Sequence, residues 1–361
     1  MDIVECFGTP RQRGHSHGET LRERINEALK IWAQATMTSR GTRAPKDIDT
    51  YCTEFLNATA LIPHARRATP DLYDELVGIA EGAGQPLARI LAYNLMDEQW
   101  WYDARPDAPP PGCSLIATPV RGGHLLAQNM DLPAHMDGSQ VVLRLGGADI
   151  PQTLVLSAAG MIGLTGANDA GLAIGVNTLL MLRHAADGLP VAMALRHALG
   201  ARNRADAVAR LRGVGHASGQ HYALATSDGI SSVECSALSC APLPLPPDGV
   251  LLHTNHPLAN GDVDDSAQSR LDAAGFNKSS RTRLDWLHTR KDAIDTVARL
   301  QSVFDDADAP ICMRAKTNGG SSTFASVVYE MTQTPCVRMR QGIAGGSTWR
   351  VFTFSDTHAT P

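Results

Sequence analysis

Arg105-Pro106-Asp107-Ala108-Pro109-Pro110-Pro111-Gly112-Cys113-Ser114 divides the chain into two parts of different character. Proline lacks the amide hydrogen that helix interiors and central strands need, so this stretch predicts a loop. Before the loop, apolar residues recur at helical spacing. After Gly112, short apolar runs are separated by Gly and Asn-Asp pairs, as in antiparallel hairpins. The loop therefore separates a helical part from a β-rich part, and a plain linker is the alternative interpretation.

The spacing of apolar residues predicts a helix or a strand for most of the chain. Helices are predicted near 17–38, 46–60, 70–83, 86–98, 189–199, 204–213 and 280–303. Strands are predicted at 114–118, 124–129, 141–145, 153–156, 171–177, 221–226, 231–235, 250–255, 323–330, 336–339 and 348–354. Helices in blocks and antiparallel strands in blocks predict a layered α+β fold, with helices covering both faces of two packed sheets.

Composition narrows the class of protein. The 361 residues are 43% hydrophobic and 19% charged, as in ordinary globular proteins. The net charge of −5 is spread without a basic block, so no nucleic-acid partner is expected. No apolar run is long enough to span a bilayer, and the first residues lack the basic region of a signal peptide. We therefore expect no membrane association and a cytoplasmic location.

The cysteines do not form a metal or disulfide pattern. They are odd in number and scattered, without a CxxC pair: Cys6, Cys52, Cys113, Cys235, Cys240, Cys312 and Cys336. A disulfide framework or a zinc site is therefore not expected, and neither a metal nor a cofactor is predicted.

Cys113 differs from the other cysteines in its neighbours. A break in the main chain before Cys113 would leave a free α-amine beside its thiol, and that amine can act as the local base. Gly112 permits the crowded backbone that thiol attack on the preceding carbonyl requires. The sequence therefore indicates self-cleavage between Gly112 and Cys113. The alternative is a small buried cysteine.

Asp131 is predicted to lie beside Cys113. A strand from Ser114, a turn at Arg121-Gly122-Gly123 and a returning strand from His124 form a hairpin that brings Asp131 back to the nucleophile. A carboxylate there would orient the α-amine and hold its charge. A turn residue at a strand end is the alternative role for Asp131.

Asn255 follows a predicted strand in the segment His253-Thr254-Asn255-His256-Pro257. An asparagine at a strand end can present its amide hydrogens to an oxyanion, although it could also be a turn residue before proline. The two histidines allow another interpretation, a Cys–His pair with His253 or His256 as the base. No other cluster at ligand spacing supports a metal site.

Four stretches resemble those of one family, in the right order along the chain: Arg13-Gly14-His15-Ser16-His17-Gly18-Glu19, Pro111-Gly112-Cys113-Ser114, Gln128-Asn129-Met130-Asp131 and His253-Thr254-Asn255-His256. Gly166–Leu172 and Asn177–Leu179 also fit. The chain resembles the acyl-coenzyme A:6-aminopenicillanic acid acyltransferase family, peptidase family C45, of the N-terminal nucleophile hydrolases. Met130 stands where the family usually has an aromatic residue.

The resemblance implies a four-layer αββα sandwich and three catalytic residues. Cys113 would be the nucleophile, Asp131 would support its amine, and Asn255 would belong to the oxyanion hole. The single domain 1–361 would cut itself into a helical N-terminal fragment, 1–112, and a β-rich catalytic fragment, 113–361, and the two would stay associated. The substrate would be a small N-acyl amine cleaved or transferred through a thioester, with an acyl-CoA as one acyl donor. A homo-oligomer is compatible with this interpretation.

The substrate pocket is expected to be apolar and walled by both fragments. Trp101 precedes the proline loop and Met130 lies beside the catalytic strand, so both are candidates for the acyl pocket, although either could be a core residue. The amine end would lie near Gln220 and His221. A non-catalytic relative that binds a small molecule remains the alternative from another functional class.

Overall fold

The computed structural model describes residues 1–103, 112–315 and 320–354. Its helices are α1 Pro10–Thr20, α2 Arg22–Arg40, α3 Ile48–Asn57, α4 Leu61–Ala68, α5 Pro70–Ala83, α6 Leu87–Tyr93, α7 Met96–Asp103, α8 Val191–Leu199, α9 Arg204–Arg212, α10 Asp265–Ala273, α11 Phe276–His288 and α12 Val297–Asp305. Within these described ranges, no helix combines the length and apolar character needed to cross a bilayer.

The strands are β1 Asp2–Phe7, β2 Cys113–Val120, β3 Gly123–Pro133, β4 Gln140–Gly146, β5 Thr153–Ala158, β6 Thr165–Asn168, β7 Ala173–Thr178, β8 Gln220–Thr226, β9 Gly229–Cys235, β10 Cys240–Pro242, β11 Leu251–His253, β12 Ser321–Met331, β13 Cys336–Gln341 and β14 Arg350–Phe352. The described strands form an eight-stranded sheet in the order β1-β4-β5-β6-β7-β8-β9-β10 and a six-stranded sheet in the order β11-β2-β3-β12-β13-β14.

The two sheets pack face to face, with β2 and β3 against β7 and β8. Helices α1, α8 and α9 contact the eight-stranded sheet, while α11 and α12 contact the six-stranded sheet. The layers therefore follow the order helix, sheet, sheet, helix. This arrangement confirms the predicted α+β fold, because each sheet buries one face against the other sheet and the other face against helices.

The predicted hairpin at the start of the β-rich part is present. β2 and β3 are antiparallel, with Cys113 opposite Met130 and Val120 opposite Gly123. Both strands are buried over most of their length because they lie in the interior of the six-stranded sheet. The hairpin therefore places Cys113 at the end of a central strand, next to the segment that carries Asp131.

The single helix predicted at 280–303 is divided into α11 and α12. Two further features differ from the sequence predictions. The first is β1, which pairs in parallel with β4 although the first hundred residues were expected to be helical. The second is a disulfide between Cys235 and Cys240, which the scattered cysteines did not predict. The antiparallel pairing of β9 with β10 places these two cysteines opposite one another. They are five residues apart because a short turn connects the two strands.

The segment Arg13–Glu19 has a structural role in the contact between α1 and α5. A Cβ on Gly14 would lie 1.9 Å from the backbone oxygen of Glu75, and a Cβ on Gly18 would lie 2.4 Å from that of Ile79. Arg13 also connects α1 to the segment between β4 and β5 by donating to Asp149 Oδ1 at 2.8 Å. The two helices can approach this closely because these positions carry no side chain.

We expect Gly14→Ala to destabilise the protein. Alanine would improve helix propensity by about 1 kcal/mol. Its methyl group would force α1 away from α5, and such overpacking costs about 1–3 kcal/mol or more. The clash with backbone atoms is severe, so the loss should dominate and thermal unfolding should begin at a lower temperature. Gly261→Ala is the control, because a Cβ there meets no atom within 4 Å and its melting temperature should change little.

Candidate active site

Cys113 begins β2 and its side chain is buried, with the residue 6% exposed. Burial, and then the nearby Asp131 carboxylate, together raise the pKa of the Cys113 thiol to about 12. A hydrogen bond from the Asp131 backbone and the Arg283 guanidinium act in the opposite direction. The thiol is therefore protonated at neutral pH and needs a base before it can attack a carbonyl.

Hydrogen bonds hold both sides of the Gly112–Cys113 peptide bond. The Gly112 carbonyl oxygen accepts from the Asp131 backbone N–H at 2.8 Å. The Cys113 N–H donates to Asn255 Oδ1 at 2.7 Å. The proline stretch Pro109–Gly112 was expected to be an exposed loop. Gly112 is buried, so the prediction is wrong for that residue, and Pro109–Pro111 lie outside the described residues. The predicted cleavage site is thus held in a defined orientation by two of the residues that the sequence selected.

Asp131 is buried, and only one of its two carboxylate oxygens accepts a side-chain hydrogen bond. Asp131 Oδ1 accepts from Thr323 Oγ1 at 2.7 Å, while Oδ2 is buried with no hydrogen-bond partner among the described residues. Burial raises the pKa of this carboxyl to about 7, against the opposing effect of the Arg283 charge. A buried oxygen without a partner is costly, so this position favours a new donor beside it.

Arg283 on α11 is the functional candidate that the sequence analysis missed. It is 1% exposed, and its Nη1 donates to the Cys113 carbonyl oxygen at 2.6 Å and to Ser114 Oγ at 3.1 Å. Its Nη2 donates to Asn255 Oδ1 at 2.9 Å. A Cβ on Gly112 would lie 3.0 Å from Arg283 Nη2, so a larger residue before the cysteine would press on the buried guanidinium.

The spacing of α11 contains the signal that could have identified this arginine. Phe276, Ser280, Leu284 and Leu287 form its buried face at helical intervals, and Arg283 lies on the same face. A cation on an otherwise inward-facing stripe needs a buried partner. Sequence spacing alone does not show what that partner is.

Asn255 reaches the site because β11 pairs with β2, with His253 opposite Leu115. Its Oδ1 accepts hydrogen bonds from the cysteine and arginine described above, and its Nδ2 donates to Thr178 O at 3.0 Å. An amide nitrogen carries two hydrogens, so one remains for another acceptor. The side chain can therefore position the Cys113 nitrogen and still offer a donor to an oxyanion.

A cavity opens onto Cys113 with a volume of about 540 Å³, including the part open to solvent. Its body is apolar, with side chains from both predicted fragments: Met96, Met130, Leu132, Met161, Leu164 and Leu195. Asp97, Thr178 and Gln220 form a polar end. This lining suits a small molecule with an apolar chain.

Trp101 and His221 do not line this cavity. The Trp101 ring stacks on His184, with ring centroids 4.5 Å apart. His221 on β8 is fully buried, and its ring nitrogens hydrogen-bond Asn177 Oδ1 on β7 and Ser232 Oγ on β9. Both predicted substrate contacts are thus occupied by other interactions, and Gln220 is the member of the predicted polar pair that reaches the cavity.

His253 and His256 are engaged away from the thiol. His253 Nε2 pairs with Glu234 Oε1 at 2.8 Å, and His256 Nδ1 bonds Ser280 Oγ at 2.8 Å. Neither histidine lines the cavity. The geometry therefore offers no support for the alternative Cys–His pair.

One group of potential metal ligands occurs among the described residues, namely His216 with Cys235 and Cys240. The two sulfurs are bonded to each other, so they are not available as thiolates in this state. The group also lies outside the cavity lining.

The sequence of this chain matches one protein family and a full-length relative. Residues 120–342, more than half of the chain, match the family model for acyl-coenzyme A:6-aminopenicillanic acid acyl-transferase. The acyl-coenzyme A:6-aminopenicillanic-acid-acyltransferase 40 kDa form of Emericella nidulans is 26% identical over 333 residues, covering 91% of this chain and 89% of the relative.

Solved structures give weaker similarity. Penicillin V acylase from Agrobacterium tumefaciens is 14% identical with a TM-score of 0.41, covering 67% of this chain and 86% of that chain. A variant of conjugated bile acid hydrolase from Clostridium perfringens is 12% identical with a TM-score of 0.39, covering 69% and 100%. Similarity at this level is too low to transfer a substrate or a residue role.

Two packed sheets between helical layers define the class, a four-layer αββα sandwich. The chain belongs to the acyl-coenzyme A:6-aminopenicillanic acid acyl-transferase family. The resemblance seen in the sequence is therefore confirmed, and the chain is a member of a family of acyl-transferring enzymes.

Proposed function

We propose that this protein is a self-processing N-terminal cysteine amidohydrolase or acyltransferase that acts on small N-acyl amines. One observation carries the proposal. The Gly112–Cys113 peptide bond is hydrogen-bonded on its carbonyl side by Asp131 and on its nitrogen side by Asn255. The first hydrogen bond can stabilise negative charge on the Gly112 oxygen, and the second holds the Cys113 nitrogen that becomes the leaving group.

Self-cleavage would begin with attack of the Cys113 thiol on the Gly112 carbonyl carbon. Negative charge then develops on the Gly112 oxygen, to which the Asp131 N–H already donates. Asp131, with a carboxyl pKa raised to about 7 by burial, is a suitable base for the thiol proton. Delivery of that proton to the Cys113 nitrogen then lets the C–N bond break, which gives a Gly112 thioester on Sγ and a free α-amine. Water finally hydrolyses the thioester to the Gly112 carboxylate and the free thiol.

The new α-amine would serve as the base during turnover. It would remain near Asn255 Oδ1, and the unpartnered Asp131 Oδ2 supplies the kind of acceptor that an α-ammonium requires. The amine takes the thiol proton as Cys113 attacks the substrate amide, and then delivers it to the departing amine. Water or a second amine finally removes the acyl group from the thioester.

The two fragments would remain associated through buried contacts. Asp97 Oδ2 accepts from Thr178 Oγ1 at 2.7 Å, and Glu98 Oε1 accepts from Ser218 Oγ at 2.8 Å. Both contacts join the predicted fragment 1–112 to 113–361. Cutting one peptide bond leaves these contacts and the shared core intact.

The apolar cavity supports an acyl chain as the enclosed part of the substrate. The name of the Emericella nidulans relative specifies acyl-coenzyme A as a donor and 6-aminopenicillanic acid as an acceptor. We accordingly include acyl-CoA as an acyl donor and a small amine as the acceptor in transfer. Hydrolysis and transfer share the thioester and differ in which nucleophile reaches it.

Mass spectrometry tests the proposal directly. Purified protein should contain two fragments, the second beginning at Cys113. Incubation with a panel of N-acyl amines and acyl-CoAs, followed by rapid acid quenching, should add an acyl mass to that second fragment. A non-catalytic binding relative would show ligand binding without cleavage, adduct or released amine, and that result would overturn the proposal.

Met130 is expected to control acyl-chain preference, because it lines the cavity opposite Cys113. Met130→Trp fills part of the cavity, so the acyl length with the highest kcat/KM should become shorter. The ratio of kcat/KM for short chains to that for long chains should rise by about tenfold. Met130→Leu, which nearly conserves volume, should keep the original optimum. An unchanged optimum in a folded Met130→Trp protein would show that Met130 does not form the acyl wall.

A further inference from the structure

A buried carboxylate that the proposed reaction does not use holds the chain on both sides of Asn255. Glu234 on β9 is fully buried, and its two oxygens accept hydrogen bonds from one side chain and from three consecutive backbone N–H groups. The donors are His253 Nε2 at 2.8 Å and the N–H groups of Leu258, Ala259 and Asn260 at 2.7, 2.9 and 2.7 Å. The segment around Asn255 is therefore organised by a single side chain.

His253 is the side-chain donor of this set, and both of its ring nitrogens face oxygens. Nε2 faces Glu234, and Nδ1 lies 2.8 Å from the Thr254 carbonyl oxygen. Burial opposes the ionisation of Glu234, but the hydrogen bond and charge of His253 lower the pKa of that carboxyl below its usual range. A carboxylate and a carbonyl oxygen only accept, so both hydrogen bonds form when both ring nitrogens carry hydrogen. The two residues then form a buried ion pair.

His221 packs flat against this pair and stays neutral. The ring centroids of His221 and His253 are 3.6 Å apart, with 11° between the ring planes. Burial, and then the charge of His253, lower the pKa of His221 well below its usual range. The nitrogens of His221 are occupied by Asn177 and Ser232, so this ring does not compete for the Glu234 carboxylate. His253 is thus fixed at its edge by Glu234 and on its face by His221.

The ion pair joins the two sheets next to the candidate site. Glu234 belongs to the eight-stranded sheet, and His253 ends β11 of the six-stranded sheet, two residues before Asn255. From the other side, the Asn255 N–H donates to Ser280 Oγ on α11 at 2.8 Å. The Asn255 backbone is therefore held between the ion pair and α11. This support fixes the direction in which Asn255 Oδ1 meets the Cys113 N–H.

We propose that Glu234 and His253 are positioning residues for the reaction and that they act through Asn255. This inference rests on the proposed function, because it takes Asn255 as the group that holds the Cys113 nitrogen and donates to the oxyanion. Neither positioning residue belongs to the cavity lining that the described residues form. Their contribution is therefore expected in kcat and not in KM, since a displacement of about 1 Å at a reacting group costs about 10²-fold in rate.

Glu234→Gln should lower kcat by about 10- to 100-fold and should change KM by less than about threefold. The amide retains one oxygen acceptor, but its nitrogen would direct hydrogens at backbone N–H groups that need an acceptor. The segment 258–260 would then move, and Asn255 with it. Steady-state kinetics on a small N-acyl amine measure both constants. An unchanged kcat, with or without a change in KM, would overturn the proposal.

His253→Gln and His253→Leu form a matched pair that tests the other member. Glutamine can still donate a hydrogen bond to Glu234 Oε1, whereas leucine cannot. The value of kcat should be at least about fivefold higher in His253→Gln than in His253→Leu, as for one retained hydrogen bond. Similar values in the two variants would show that His253 only fills space, and would overturn its positioning role.

A double-mutant cycle separates positioning from a general loss of stability. If Glu234 acts through Asn255, the loss of kcat caused by Glu234→Gln should shrink to less than about threefold when Asn255→Ala is already present. Glu75→Gln is the matched control, because Glu75 is also a buried carboxylate, paired with Arg196 and absent from the cavity lining. Its effect, whatever its size, should be the same in both backgrounds. Equal losses from Glu234→Gln in the two backgrounds would overturn the proposal.

Hydrogen exchange makes the same comparison without catalysis, so it separates this inference from the proposed function. In uncut Cys113→Ala protein, the residue-113 N–H should keep Asn255 Oδ1 as its acceptor. Adding Glu234→Gln should speed its exchange about five- to tenfold relative to the buried Leu143 amide on β4, and should add nothing once Asn255→Ala is present. An unchanged ratio would overturn the positioning role even if wild-type protein forms thioesters. The expected change, with no cutting or thioester in the wild type, would keep the positioning role and reject the proposed function.

Discussion

Cys113→Ala should yield one uncut chain and should lower amide turnover by at least about 10⁴-fold, because loss of a covalent nucleophile leaves only binding and electrostatic contributions. The alanine also removes the group that attacks Gly112, so processing and turnover should fail together. A denaturing gel reports the cut, and amine release from an N-acyl amine reports turnover.

Cys113→Ser provides the matched control for this variant. A hydroxyl can undergo the same acyl shift, so the serine protein should cleave slowly while the alanine protein stays intact. Its fragment should begin at Ser in place of Cys113. Wild-type protein that remains uncut and still turns over an amide would contradict the self-cleavage proposal, and full activity in Cys113→Ala would contradict the nucleophile assignment.

Asn255→Ala should lower kcat/KM by about 10²–10³-fold, the usual cost of losing one oxyanion donor. The substitution also removes the acceptor for the Cys113 N–H and one partner of Arg283. The released guanidinium would still bond the Cys113 carbonyl oxygen, so we expect the fold to survive. Steady-state kinetics with thermal unfolding as a folding check would measure both effects.

Asn255→Asp separates the acceptor role of Asn255 Oδ1 from the donor role of its Nδ2. Aspartate retains an acceptor for the Cys113 nitrogen and removes the Nδ2 hydrogens, one of which the oxyanion role requires. We expect turnover to fall at least as far as in Asn255→Ala. Activity close to wild type in the aspartate variant would show that Asn255 acts only as an acceptor that positions the amine.

The sequence predicted the fold class because its signals are local. Helical spacing before the proline stretch and alternating short runs after it are set by which face of each element is buried. The hairpin from Ser114 to Asp131 was predictable for the same reason, since its turn and its two strands are adjacent in the chain. β1 was missed because its partner, β4, lies more than a hundred residues away.

The candidate site was predictable where chain proximity or a family motif indicated it. Cys113 and Asp131 belong to one hairpin, and Asn255 belongs to a motif that resembles the family's. Trp101 and His221 were selected from sequence position near the loop and near Gln220, but position does not determine the direction of a side chain. The structure turns Trp101 toward His184 and encloses His221 in a buried polar cluster.

The sequence by itself determined the order of helical and β-rich parts, the family and the peptide bond at which cleavage is predicted. Tertiary structure alone decided that Arg283 donates to the Cys113 carbonyl oxygen and that Asp97 lies in the cavity wall beside Thr178 and Gln220. The physical reason is that the spacing of apolar residues indicates which face of a helix or strand is buried, and that spacing can be read within one short segment. Hydrogen bonds between buried polar groups depend on the packing of segments far apart in the chain, and no local pattern specifies them.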